Sequence, residues 1–254
     1  MANPNRIKEV WAAGRTAFGL WAAIPDSFSA EILAGAGVDY VCVDQQHGVV
    51  DYSSMVPMLQ AIGAVGVAPI TRTLSNDPFS IMKALDAGAL GVIVPLVNDA
   101  AEAAHAVAAC RFPPHGIRSY GPIRASGVVG SKDPEDLAGE VLCIVMVETQ
   151  EGLERVDEIA ATPGVDGIYI GPSDLALSLG LPPSTEITED AHVEAVRRIK
   201  DACKEHGIAA GIHATSGEWA KKHVEAGFDM VTVAADASLL GEAAGREVRA
   251  ARNE

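Results

Sequence analysis

Aromatic residues are scarce in this chain, 5% of 254, so its core has to be assembled from Ala, Val, Leu and Ile. Cysteine is nearly absent as well. Cys42, Cys110, Cys143 and Cys203 are scattered without CxxC spacing, which argues against a zinc site or a disulfide framework and fits reduced thiols in a cytoplasmic protein. No long hydrophobic run exists. The longest, 61–70, is broken by Gly63, Gly66 and Pro69 and is too short to span a bilayer, and the first twenty residues hold no signal-peptide core. Positive charge is in deficit. A net charge of −15 would repel nucleic-acid phosphates and an anionic membrane surface, so neither is expected as a partner. A soluble intracellular protein is the expectation.

What remains is apolar, at 48% of the chain, and rich in glycine, with 25 residues. Short apolar runs, expected as strands, recur at 17–23, 39–44, 67–71, 91–95, 141–147, 166–171, 208–212 and 229–234. Amphipathic stretches at 29–36, 53–61, 78–87, 100–110, 153–160, 191–206 and 217–226 separate most of them, several ending at a glycine suited to a left-handed cap, such as Gly37, Gly88, Gly207 and Gly227. Eight strands alternating with helices over this length predict an α/β protein, a single-domain (β/α)8 barrel spanning 1–254. A doubly wound open sheet is the competing architecture, weakened by the lack of GxGxxG after the first strand. The segment 112–140, dense in Pro and Gly, predicts a long loop; its Arg118 and Arg124 either face an anionic site or are solvated. A last helix from about 238 to 253 either covers its own barrel or packs on a partner.

In a barrel the loops after the strands form one rim where chemistry sits. Trp21, Asp44 and His47, Arg72, Glu148, Asp174 and His213 fall at such strand ends. Each has a plainer reading: Asp174 as the cap of the helix beginning SDLALSLG, His47 as a hydrogen-bonded structural residue, Arg72 as a surface charge. Glu148 resists it, because it directly follows an apolar strand where an unpaired charge is costly. Glu148 and Asp174 are hard oxygen ligands with no cysteine nearby. They suit an octahedral Mg²⁺ or Mn²⁺, with Co²⁺ left open, that keeps positions for a bidentate 2-oxo acid. Arg72 offers a planar fork for a carboxylate or enolate oxygen, and the turn Gly171-Pro172-Ser173 offers the N–H groups of Gly171 and Ser173. None of the seven lysines ends a predicted strand, which leaves no Schiff-base nucleophile.

VDQQHG at 43–48, PITR at 69–72, NDPFSIMKALDAGALGVIVPLV at 76–97, RFPPHGIRSYGP at 111–122, VMVET at 145–149 and GVDGIYIGPSDLALSLG at 164–180 resemble the HpcH/HpaI family. That family comprises class II, metal-dependent pyruvate aldolases with a (β/α)8 barrel. The resemblance runs from about Gly19 to Leu240. It implies that Glu148 and Asp174 hold the metal and that Arg72 contacts pyruvate. It implies further that His47 is the acid–base, aided by Asp44 and by Asp86, and that Trp21 lines the aldehyde pocket. It also implies a hexamer with the last helix exchanged between subunits. Gln45-Gln46 stands where well-known members carry Gly-Glu, and either orients water or contacts a neighbouring subunit. Met146 replaces a glutamine and makes the pocket more apolar. The expected reaction is reversible cleavage of a 4-hydroxy-2-oxo acid to pyruvate, or a related 2-oxo acid such as hydroxypyruvate, and an aldehyde. The rivals are a citramalyl- or malyl-CoA lyase of the citrate lyase beta type and a non-catalytic barrel that binds 2-oxo acids.

Overall fold

The computed structural model describes residues 5–252. The eight apolar runs form β1 (Ala17–Ala22), β2 (Tyr40–Asp44), β3 (Ala68–Arg72), β4 (Gly91–Val94), β5 (Leu142–Val147), β6 (Gly167–Ile170), β7 (Ala209–His213) and β8 (Met230–Ala235). Each pairs in parallel with its sequence neighbours, and β8 closes on β1, giving a (β/α)8 barrel. The open-sheet alternative is thereby excluded.

Alternation along each strand divides the core. Val41 and Val43, like Cys143, Val145 and Val147, pack outward against helices. Tyr40 and Cys42, with Leu142, Ile144 and Met146, pack inside the barrel. Successive inward positions carry the parity on to Asp44 in β2, Arg72 in β3 and, one residue past β5, Glu148. Two interior tyrosines share one hydroxyl: the Tyr169 hydroxyl donates to Thr232 Oγ1 at 2.6 Å, and Tyr40 hydrogen-bonds the same oxygen at 2.8 Å. The Tyr40 ring fills the space where any side chain at position 19 would stand, so Gly19 has to be glycine.

Helix starts are capped by Asp26, Asp51, Asp77, Asp99, Asp133, Thr149 and Ser216, each side chain accepting a backbone N–H of the first turn. Each such cap is worth about 1 kcal/mol. Gly37, Gly88, Gly207 and Gly227 have positive φ, as their positions after helices predict. The predicted helix at 153–160 is two short ones, Gln150–Glu154 and Val156–Ala160. Three helices stand where none was predicted. Arg6–Ala12 places Ile7 and Val10 in the cluster that fills the barrel interior, while Ala125–Val129 and Pro134–Gly139 lie inside the expected loop. The last helix is Asp236–Arg252; position 253 lies outside the described residues. No helix among the described residues is long and apolar enough to cross a membrane.

Candidate active site

Asp44 ends β2 buried, and Arg72 ends β3 beside it. The guanidinium donates from Nε to Asp44 Oδ1 at 2.8 Å and from Nη2 to Oδ2 at 2.7 Å. Burial alone would raise the Asp44 pKa, but the Arg72 hydrogen bonds and charge outweigh it and hold the carboxyl below its ordinary value. Asp44 also accepts the backbone N–H groups of Gln46 and His47, at 3.1 and 3.3 Å, which turns the chain so that His47 stands exposed on the rim. Gln45 donates to Thr71 Oγ1 at 2.9 Å, and Gln46 buries an Oε1 with no partner. The Arg72 guanidinium lies 5.2 Å from the centre of the Trp21 ring, and Trp21 packs on Tyr169 with centroids 5.5 Å apart.

Glu148 follows β5, 2% exposed. Its Oε1 accepts the Leu96 N–H at 3.0 Å, while Oε2 is buried without a partner. Burial, and then the Asp174 charge, push its pKa up to about 7 against the pull of the Leu96 N–H and of Arg72. Leu96 adopts φ +56°, a conformation L side chains rarely take, and this aims its N–H at the carboxylate. Asp174 lies in the first turn of the helix Pro172–Ser178, whose N-cap is Gly171, so it is not the cap that the sequence also allowed. A Cβ at Gly171 would overlap Glu148 Oε2, so it could enter only with a shift of that carboxylate.

These groups line one cavity of about 270 Å³: Trp21, Asp44, His47, Arg72, Met146, Glu148, Gly171, Pro172, Ser173 and Asp174, with Ala23, Tyr169, Thr185, His213 and Ala235. A larger cavity, about 920 Å³, lies elsewhere, beside residues 111–115 and 133–139. Its lysine and arginine are occupied: Lys8 donates to the Gly139 carbonyl, and Arg111 pairs with Asp166. The smaller cavity is the one that gathers the residues expected at the strand ends. There the orphaned Glu148 Oε2 and the Asp174 carboxylate fit a hard divalent cation, the only donors needed being oxygens. Among the described residues no third His, Cys, Asp or Glu gathers with them as a metal cluster.

Asp86 is not brought to this cavity. The helix Pro78–Asp86 runs back from the rim, so its last residue lies at the opposite end of the barrel, where its carboxylate pairs with Arg118 at 2.9 Å. Within a single chain Asp86 thus stands apart from His47. Arg118 and Arg124 face no anionic site either. Arg118 is buried over the Phe112 ring, 4.6 Å from its centre, and Arg124 donates to the Ala87 carbonyl. Among the residues the sequence passed over, Tyr169 was legible, since it sits opposite Met146 in the β5–β6 register and so faces inward. Leu96 and Thr185 carry no sequence signal, because a strained φ and a loop's reach are tertiary facts.

Residues 17–243 match the HpcH/HpaI aldolase/citrate lyase family. The chain belongs to that family. Two members of the family are a hydroxypyruvate/pyruvate aldolase of Rhizorhabdus wittichii, 40% identical over 98% of this chain and 99% of its own, and a 4-hydroxy-2-oxo-heptane-1,7-dioate aldolase of Salmonella typhimurium, 38% identical over 98% and 94%. The crystal structure of a family protein from Burkholderia cenocepacia superposes with a TM-score of 0.86 at 35% identity, covering 93% of this chain and 95% of that one.

Proposed function

We propose that this protein is a divalent-metal-dependent pyruvate aldolase, a carbon–carbon lyase that reversibly cleaves 4-hydroxy-2-oxo acids to an aldehyde and pyruvate or hydroxypyruvate. The observation that carries the reading is the convergence of an orphaned Glu148 oxygen, Asp174, Arg72 and His47 on one cavity. Glu148 and Asp174 would hold Mg²⁺, Mn²⁺ or Co²⁺, which when bound supplies a Lewis acid for the oxygens of the 2-oxo acid. Arg72, locked by the two-point contact with Asp44, keeps Nη1 free to meet the negative charge that develops on the pyruvate oxygen during cleavage. Trp21 beneath the guanidinium and Asp44 beside it fix that charge before substrate arrives. His47, exposed on the rim, takes the proton from the C4 hydroxyl; the C3–C4 bond breaks, the aldehyde leaves, and the three-carbon enolate is protonated. Met146, Pro172 and the Trp21 edge exclude water around the reacting carbons, and the N–H groups of Gly171 and Ser173 border the same space.

The CoA-lyase alternative is disfavoured by charge. Arg72 is the one cation lining the cavity among the described residues, and it is held by Asp44, so the CoA phosphates would find no counter-charge. The cysteines are buried free thiols, which suits a cytoplasmic enzyme. The last helix leaves Leu239, Leu240 and Val248 exposed, and of its described residues only Asp236 is buried, so we assign it to a second copy of the chain within a hexamer.

The test is pyruvate release from a 4-hydroxy-2-oxo acid in chelator and after Mg²⁺ or Mn²⁺ is restored. Activity should vanish and return. His47→Ala should lose about 10²–10⁴-fold in kcat while still binding metal. Full turnover in chelator would remove the metal from the reading, and undiminished His47→Ala would remove the histidine.

A further inference from the structure

His213 ends β7 half-buried in the cavity wall. Its ring and the Trp21 indole stand at 88° with centroids 5.2 Å apart, a contact that sets the plane of the imidazole. No described residue hydrogen-bonds the two ring nitrogens, so both are available to whatever enters the cavity. Burial, and then the Arg72 charge, push the His213 pKa down to about 4 against the pull of Asp44. The imidazole is therefore neutral at neutral pH and presents one donor and one acceptor.

Thr185 reaches the same cavity from the loop 181–189. Its hydroxyl is tied to the Thr215 hydroxyl at 3.0 Å, which holds that loop against the turn following His213. The rest of the wall outside the reacting groups is apolar: Trp21, Ala23, Met146, Pro172 and Ala235. Among the described residues, the side-chain charges that line the cavity are the carboxylates Asp44, Glu148 and Asp174, which would hold the divalent cation or pair with Arg72, and the cation Arg72, already paired with Asp44. An acceptor with a carboxylate of its own would add negative charge where no free cation answers it. An acceptor with a hydroxyl would find a neutral donor and acceptor open to the cavity, a hydrogen bond that an aliphatic aldehyde cannot make.

We propose that His213, with Thr185 beside it, is a specificity-determining residue that selects short, uncharged, hydroxylated aldehydes as the partner of the 2-oxo acid and turns away aldehydes bearing a carboxylate. The proposal rests on the pyruvate aldolase reading. In the synthetic direction C3 of the pyruvate enolate bonds to the aldehyde carbonyl carbon. The carbonyl π pair moves to its oxygen, and that oxygen takes a proton to become the C4 hydroxyl. His213 engages the neighbouring hydroxyl of the acceptor and takes no part in this bond exchange.

The test uses the full chain with Mn²⁺ and pyruvate and compares kcat/KM for glycolaldehyde, propanal and 4-oxobutanoate. The first two differ by a hydroxyl against a methyl, and the third carries a carboxylate. Wild type should rank glycolaldehyde first and 4-oxobutanoate last. In His213→Leu and in His213→Phe, which keeps a ring against Trp21, the glycolaldehyde-to-propanal ratio should fall about tenfold, the effect of one neutral hydrogen bond. His213→Gln, whose amide retains a donor and an acceptor, should keep most of the ratio. Intrinsic aldehyde reactivity cancels, because the same pair is compared across variants. A ratio unchanged in the variants that fold, or 4-oxobutanoate used as well as glycolaldehyde by wild type, overturns the proposal while leaving the aldolase reading intact. No addition to any of the three aldehydes by the metal-loaded wild type overturns both.

Discussion

Burial raises the Glu148 pKa to about 7, with Asp174 adding to it, so folding takes up a proton at this carboxyl across the window from its ordinary 4.5 to 7. The sign follows from linkage: the group's contribution to stability is fully present below pH 4.5 and is lost as pH rises through 7, a change on the order of 3 kcal/mol. The melting temperature of the metal-free protein should therefore carry a downward component between pH 5 and pH 8 that Glu148→Gln removes in calorimetry. A cation displaces that proton, so titration calorimetry should find Mn²⁺ binding tighter at pH 8 than at pH 6; pH-independent affinity would contradict the raised carboxyl. Gly171 supplies the second prediction at this scale. A methyl there collides with Glu148 Oε2 and must displace the carboxylate, so Gly171→Ala should weaken Mn²⁺ binding at least about tenfold, and unchanged affinity would mean that Glu148 does not hold the ion.

At the scale of elements, the strand ends and the loops after them do different work. β2 and β3 deliver Asp44 and Arg72 in register, paired as neighbours, and that pairing is what brings the guanidinium onto the carboxylate. Asp236, at the junction of β8 and the last helix, accepts the N–H groups of Ala23 and Ile24 at 2.9 and 3.0 Å and so ties the turn after Trp21 to the end of the neighbouring strand β8 where the barrel closes. Beyond it the helix Asp236–Arg252 extends with its apolar residues uncovered. Leu239→Glu with Leu240→Glu should dissociate the assembly, read as a drop in mass by light scattering during size exclusion. A monomeric wild type, or an intact assembly in the double variant, would refute the exchanged helix.

Across the whole molecule, histidines that fold neutral add to the acid sensitivity that paired carboxylates such as Asp44 also confer. His223, on the helix Gly217–Glu225, is buried between Trp219 and Phe228 with an unpartnered Nε2; burial, and then Lys222, push its pKa down to about 4. A depressed histidine contributes stability that is present above pH 6.5 and is lost as pH falls through 4, opposite in sign to Glu148. His223→Phe should therefore flatten the loss of melting temperature between pH 6.5 and pH 4, and an equally steep loss would place the acid sensitivity elsewhere.

The sequence by itself determined the order of strands and helices, the glycines at helix ends and the inward parity that carries Asp44, Arg72 and Glu148 to a common rim. These are legible because alternation with period two and helix capping are local rules. Much of the candidate site was legible for the same reason. What only the tertiary structure decided are the facts that depend on how far apart in sequence the neighbours lie. Asp86 and Arg118 meet at the end of the barrel away from the cavity, because the helix after β3 reverses the direction of the chain. Ile7 and Val10 join the barrel interior from a helix that sequence pattern missed. Leu96 takes a strained turn because Glu148, 52 residues on, accepts its N–H. Barrel closure sets these contacts, and no local window of the sequence contains both partners.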